Sequence, residues 1–335
     1  MLKAEKNMVL SAAADLDRGA VDWLSMLSAL VVVFPVFALI FTGWLVRRLG
    51  VLGPQSTTEL NRFVVYLALP ALLFDVIAHA GWNDIWKPGF IAVFGLSSLI
   101  VFALAVVLRY RKQHLADAAI DGLNAGYANT GFMGFPLALL VLGQEAMAPT
   151  TISCIITVCV VFAVAIVLIE IGLQAKGKPH LVALKVGRSL IRNPLLVAPV
   201  LGALVPAAGV TIAQPLDHFV KLLAATAAPC ALVTLGLFLA EKREGVGTDA
   251  RAASLFVVLK LLVHPAIAWV LATQVFKLSP FLTHAAVLLA ALPTGTGPFM
   301  LAELYKREAG ITSTTILVST ILSVVTVSVY IAIAI

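Results

Sequence analysis

The sequence holds 335 residues, 61% hydrophobic and only 12% charged, with a formal net charge of +6. A soluble chain carries about a quarter charged residues, so a mean hydropathy of +1.03 excludes a water-soluble fold. The apolar segments recur along the whole chain, which a secretory leader does not explain, and the positive balance is read from where the basic residues sit, with no nucleic-acid partner expected.

A helix needs about 20 apolar residues to cross the hydrocarbon core of a lipid membrane. After a tail over 1–23, which mixes both charges and carries no motif, such segments predict ten spans. They lie near 24–46, 60–80, 88–108, 117–143, 147–173, 190–209, 214–240, 251–275, 280–305 and 311–335. Runs of this length suit helices and not the short alternating strands of a barrel. The first, third, fifth, seventh and ninth connections hold most of the basic residues, among them Arg47, Arg48, Arg109, Arg111, Lys185, Arg188, Lys242, Lys306 and Arg307. The positive-inside rule puts those connections in the cytoplasm and both termini on the periplasmic side of a bacterial inner membrane. Cys154, Cys159 and Cys230 fall in apolar spans without metal-ligand spacing. They are expected as small packing residues, with no metal and no cofactor.

The punctuation repeats. Pro70 and Pro229 interrupt the second and seventh spans, and Pro136 and Pro298 interrupt the fourth and ninth at nearly the same offset. Two halves of five spans each, 24–173 and 190–335, joined by a cytoplasmic linker over 174–189, must sit upside down relative to each other because five is odd. That is the inverted-repeat arrangement of secondary carriers. The fourth span holds Asn129, Thr130, Gly131, Gly134 and Pro136; the ninth holds Pro293, Thr294, Gly295, Thr296, Gly297 and Pro298. Glycine and proline weaken a helix, and lipid offers freed backbone groups no water, so such breaks persist where they face protein or a wet cavity. A proline fits the first turn of a new half-helix. Each break is therefore expected to aim a half-helix N-terminus at the midplane, and two such ends make an anion site.

At these residues the sequence resembles the auxin efflux carrier family, whose members include bacterial proteins and the plant auxin carriers. The likeness runs from Met26 onward through Leu60–Val64 and Leu69–Phe74, Asn129–Pro136, Arg192-Asn193-Pro194, Ala228–Leu232 and Leu292–Glu303. It implies a scaffold of spans one, two, six and seven, a moving domain of the other six, and crossing broken helices four and nine. It also implies substrate beside the crossing, an elevator-like movement, a homodimer in the lipid, and Asn129 donating to a substrate carboxylate. The family handles malonate, malate and similar acids. Many bacterial members carry an Asn where Gly297 stands, so the second half-site here offers backbone N–H groups and the hydroxyls of Thr294 and Thr296.

Charged residues inside a span need a reason. Lys260, with His264 one helical turn on, reads either as counter-charge or proton switch for the anion, or as one half of a structural pair with a carboxylate, for which Asp75 is the candidate. Asp75 with His79 reads as a proton-coupling site or as an interfacial ion pair. Asp121, Glu170 and Glu303 read as side chains snorkelling to water at cytoplasmic ends. The expected function is carrier-type transport of small organic anions, mono- or dicarboxylates, with a coupling proton or sodium ion left open. A channel or receptor is the alternative; an intramembrane enzyme lacks both a His-Glu-x-x-His motif and an activated serine.

Overall fold

The computed structural model describes residues 34–81, 86–111, 113–174, 179–241 and 250–334. The tail over 1–23, the start of the first span, Lys242 and most of the stretch 174–178 lie outside them. The described chain is helical: α1 (34–48), α2 (Ser56–Ala78), α3 (Pro88–Tyr110), α4 (Leu115–Gly126), α5 (Thr130–Leu142) and α6 (Gln144–Gln174). There follow α7 (Pro179–Arg192), α8 (Pro194–Ala207), α9 (Gln214–Ala240), α10 (Ala250–Val275), α11 (Pro280–Ala290), α12 (Gly297–Leu304) and α13 (Gly310–Ala334). Among the described residues six helices (α2, α3, α6, α9, α10 and α13) are long and apolar enough to cross a membrane. A seventh span results if Ala183–Arg192 and α8, bent by 63°, count as one. The chain is an all-α, multi-pass membrane protein. The linker expected over 174–189 is largely helical, since α7 begins at Pro179; the bend follows at Asn193, whose side-chain Oδ1 accepts from Leu195 N at 3.0 Å and caps α8.

Lipid tails are as apolar as leucine, so these helices are held by close packing more than by the hydrophobic effect. Small residues supply it. A Cβ at Gly43 would collide with the Val233 carbonyl and one at Gly236 with the Ile40 carbonyl, so α1 and α9 meet backbone to backbone. α4 is rich in Ala and Gly and buried on every side. A Cβ at Gly126 would stand 2.8 Å from Ser98 O of α3, and one at Gly172 of α6 2.7 Å from Ala116 N. This fixes α4 as an interior helix between α3 and α6.

The prolines act differently from the sequence expectation. Pro70 and Pro229 do not interrupt their helices: α2 and α9 run through them. A π-helical turn over Val64–Ala68 ends two residues before Pro70, another over Thr130–Gly134 ends two before Pro136, and a third over Leu259–Val263 ends two before Pro265. Proline lacks an N–H and crowds the preceding turn; one extra residue in that turn re-routes the hydrogen bonds, as Leu69 N does in reaching back to Val64 O. The acids near the helix ends are also paired where snorkelling was expected. Asp121 is 5% exposed and accepts from Arg109 Nε at 2.8 Å; Glu170 is 7% exposed and accepts from Tyr305 Oη at 2.9 Å. Asp117 takes both arms of the Arg307 guanidinium, which binds α4 to the connection before α13 and raises the guanidinium's pKa above its ordinary value.

Candidate functional site

The apolar stretches over 117–143 and 280–305 are each split in two, and the splits meet. α4 stops at Gly126 and α5 starts at Thr130; α11 stops at Ala290 and α12 starts at Gly297. The intervening backbones run antiparallel, joined by a bridge between Ala128 and Thr294. Asn129 N donates to Pro293 O at 2.9 Å and Gly295 N donates to Tyr127 O at 3.1 Å. Inside a membrane a freed backbone group needs a partner, and three more of these find one nearby. Thr294 Oγ1 donates to Asn124 O at 2.7 Å, and Thr294 N donates to Ser319 Oγ at 3.2 Å. Asn124 in turn donates from Nδ2 to Thr312 Oγ1 at 3.0 Å, which ties the crossing to α13. On the other side, Lys260 Nζ donates to Ala290 O at 2.6 Å, on the last residue of α11.

Next to the crossing lies a cavity of about 320 Å³. One wall is the crossing itself, with Tyr127, Asn129, Gly131, Phe132, Thr296 and Gly297; the other is Leu69 and Leu72 of α2 and the stretch from Ala224 to Ala231 of α9, with Pro229. Among the described residues no Lys, Arg or His lines it. Asn129 is 8% exposed and stands at the N-terminal end of α5. Its amide makes no hydrogen bond with the described residues, whereas a buried amide normally has one. Its exposed fraction faces the cavity. The start of α5 and the start of α12, at Gly131 and Gly297, open on the same space, and the first N–H groups of a helix have no partner within it and carry partial positive charge.

Of the residues singled out from the sequence, Asn129, Gly131, Thr296 and Gly297 line this cavity. Thr130, Pro293, Thr294, Gly295 and Pro298 are buried behind it, where Pro293, Thr294 and Gly295 hold the two strands of the crossing together. Gly134 is buried against Leu289 and Thr150, and Pro136 is exposed on the outer surface of α5. Pro136 is in the first turn of the regular α-helix Phe135–Leu142, which a π-helical turn from Thr130 precedes, and Pro298 is the second residue of α12. Tyr127, Phe132 and the α2 and α9 wall were not identified as site residues. The wall's signal was present in the Leu69-Pro70 and Ala228-Pro229 motifs, which were read as punctuation.

Lys260 is fully buried, and no carboxylate pairs with it among the described residues. Besides Ala290 O it donates to His264 Nδ1 at 3.0 Å, and His264 Nε2 faces Ser98 Oγ at 3.2 Å. With Nδ1 accepting, Nε2 carries the hydrogen that reaches Ser98. Asp75, the expected partner, is elsewhere: its Oδ1 lies 2.9 Å from His79 Nδ1, and the other ring nitrogen lies 2.8 Å from Asp217 Oδ1 of α9. That cluster, completed by Lys221 at 2.8 Å from Asp217, borders a separate cleft beside Lys87 and Gln144.

The family described as membrane transport protein matches residues 28–331. The chain belongs to this family. Over 298 residues it is 33% identical to a Rhizobium meliloti protein named "Putative malonate transporter", covering 88% of this chain and 92% of the relative. It is 23% identical to auxin efflux carrier component 8 of Arabidopsis thaliana over 365 residues, with 92% and 98% covered. A transporter of Methanocaldococcus jannaschii is 24% identical over 310 residues, with 89% and 96% covered. The membrane transport protein described here is thus a transporter and not an enzyme.

Proposed function

We propose that this family member is a carrier of small organic anions that binds its substrate in the cavity beside the crossing. In this reading its ten spans form two inverted repeats, 24–173 and 190–335. One observation carries the proposal: two helix breaks, hydrogen-bonded to each other, open their N-terminal ends and an unsatisfied Asn129 amide onto one cavity. Asn129 donates to a carboxylate, helped by the free N–H groups at the starts of α5 and α12. Thr130, Pro293, Thr294, Gly295 and Pro298 keep those groups in place. The cavity also separates α2 and α9 from the broken helices, so an elevator-like slide of α3–α6 and α10–α13 against α1, α2, α8 and α9 would carry the anion across. The basic connections favour both termini on the periplasmic side of a bacterial inner membrane. The relatives' names point to malonate and to auxin, both carboxylic acids.

With no cationic side chain among the described lining residues, one carboxylate is well served and a second, fully ionised one has no partner there. The proposal therefore favours acids that enter as monoanions. Proteoliposomes loaded with unlabelled acetate, malonate or indole-3-acetate and given labelled acid outside test it, with sodium and pH gradients applied in turn. Saturable uptake with counterflow is expected; flux that never saturates and shows no counterflow would mean a channel.

A further inference from the structure

The ring of Tyr127 covers the two glycines that begin the second half-site. A Cβ at Gly297 would stand 2.6 Å from Tyr127 Cζ and 2.8 Å from its hydroxyl oxygen, and a Cβ at Gly295 would stand 2.9 Å from Cε1. Both are closer than carbon atoms approach, so no side chain can be added at either position while the ring stays there. Phe162 of α6 backs the ring, with centroids 5.5 Å apart and planes tilted by 51°, and its Cε2 lies 3.0 Å from the same Cβ position at 297. The tyrosine backbone is pinned as well, since its carbonyl accepts from Gly295 N and its N–H donates to Leu123 O. The ring thus has little freedom to turn aside.

The hydroxyl has no such anchor. It makes no hydrogen bond with the described residues, and it is not sealed away as a buried orphan atom. Tyr127 lines the cavity together with Asn129, two residues along the same extended segment. A phenol is a donor that binds a carboxylate well, and it gains strength where water is scarce.

We propose that Tyr127 is a substrate-recognising residue. Its hydroxyl donates to the carried carboxylate beside the Asn129 amide, and its ring, seated on Gly295 and Gly297, sets how large an acid the cavity accepts. The ring takes the volume that a side chain at 297 would otherwise fill, so the second half-site delivers its polar group from the first break and not from its own sequence.

The proposal rests on the crossing being the substrate site, and the test separates the two. Purified full-length protein in detergent is titrated with acetate, malonate, malate and indole-3-acetate, with binding followed by thermal stabilisation and calorimetry. Tyr127→Phe keeps the ring and removes the donor; Kd for the best-bound acid should rise tenfold or more, while the melting temperature without ligand stays put. Tyr127→Ala should shift the ratio of indole-3-acetate to acetate affinity at least tenfold toward the larger acid. Gly297→Ala alone should lose folded yield, and Tyr127→Ala/Gly297→Ala should recover it. If Asn129→Ala weakens binding and Tyr127→Phe does not, Tyr127 is no recognition residue, although the crossing remains the site. If neither change alters binding, or no acid binds the unaltered protein, the site assignment falls and this proposal with it. A double variant that folds no better than Gly297→Ala refutes the volume argument.

Discussion

Replacing Lys260 by Met removes an amino group and keeps most of the apolar stem. The structure shows what it leaves behind: the carbonyl of Ala290, deprived of a 2.6 Å hydrogen bond, and His264 Nδ1, deprived of one at 3.0 Å. Both residues are buried, and neither has water to turn to. An unsatisfied buried polar group costs about 1–3 kcal/mol, so the two together cost about 2–6 kcal/mol. Burying a methionine in place of an amine offsets part of this, since the lysine's desolvation is no longer incurred. The net expected loss is about 2 kcal/mol, which corresponds to a fall in melting temperature of about 4 °C by the scaling for large domains. Melting of the purified protein in detergent, followed by tryptophan fluorescence, measures it. Arg should not restore the loss, because its planar fork does not fit a site shaped for a compact amino group. Asp75→Asn should neither rescue nor deepen it, since Asp75 pairs with His79 and distant changes add independently. Unchanged melting in Lys260→Met, or recovery in the double variant with Asp75→Asn, would refute the assignment of Lys260 as the clamp on the end of α11.

Three further outcomes are expected. Gly236→Val puts a side chain into the Ile40 carbonyl and should abolish the monodisperse peak in size-exclusion chromatography, whereas wild-type yield would mean that α1 and α9 are not in backbone contact. In a variant lacking Cys154, Cys159 and Cys230, Gln144→Cys and Lys277→Cys, both at exposed positions, should react with an impermeant thiol reagent on whole cells, and Arg111→Cys and Lys306→Cys should not; the opposite pattern reverses the orientation. Binding of malonate or malate should strengthen as pH falls and the second carboxylate takes up its proton, because the described lining offers no cation to meet it; affinity that rises with pH would refute this.

The sequence made the helices legible wherever burial and composition agree. α3, α6, α9 and α10 lie close to their expected limits because lipid demands long, uncharged runs and little else satisfies that demand. The two breaks were legible for the opposite reason: Gly and Pro are costly there, and their placement marks a segment whose backbone serves something other than a helix. Long-range partners had no letters to be read from. Lys260 is satisfied by a backbone carbonyl 30 residues on, a group every residue possesses, so its letter suggested a carboxylate that none of the described residues supplies. Pro70 and Pro136 looked like interruptions because the one-residue widening that absorbs them is invisible in composition. Tyr127 passed as an ordinary aromatic, since its significance comes from lying over Gly295 and Gly297 of another helix pair. Only the contact explains why those two positions hold glycine.

In the proposed function a carboxylate is carried in the cavity at the crossing, held by the Asn129 amide. Counterflow of labelled acid in proteoliposomes containing either the unaltered protein or Asn129→Ala tests it most directly. The substitution removes an amide that bonds to none of the described residues, so the variant should fold and melt as the parent does. A hydrogen bond to a charged carboxylate is worth about 1.5–3 kcal/mol, or about tenfold to a hundredfold in affinity. Half-saturation should rise by that factor, or counterflow should disappear. A well-folded Asn129→Ala protein with the parent's half-saturation and rate would contradict it.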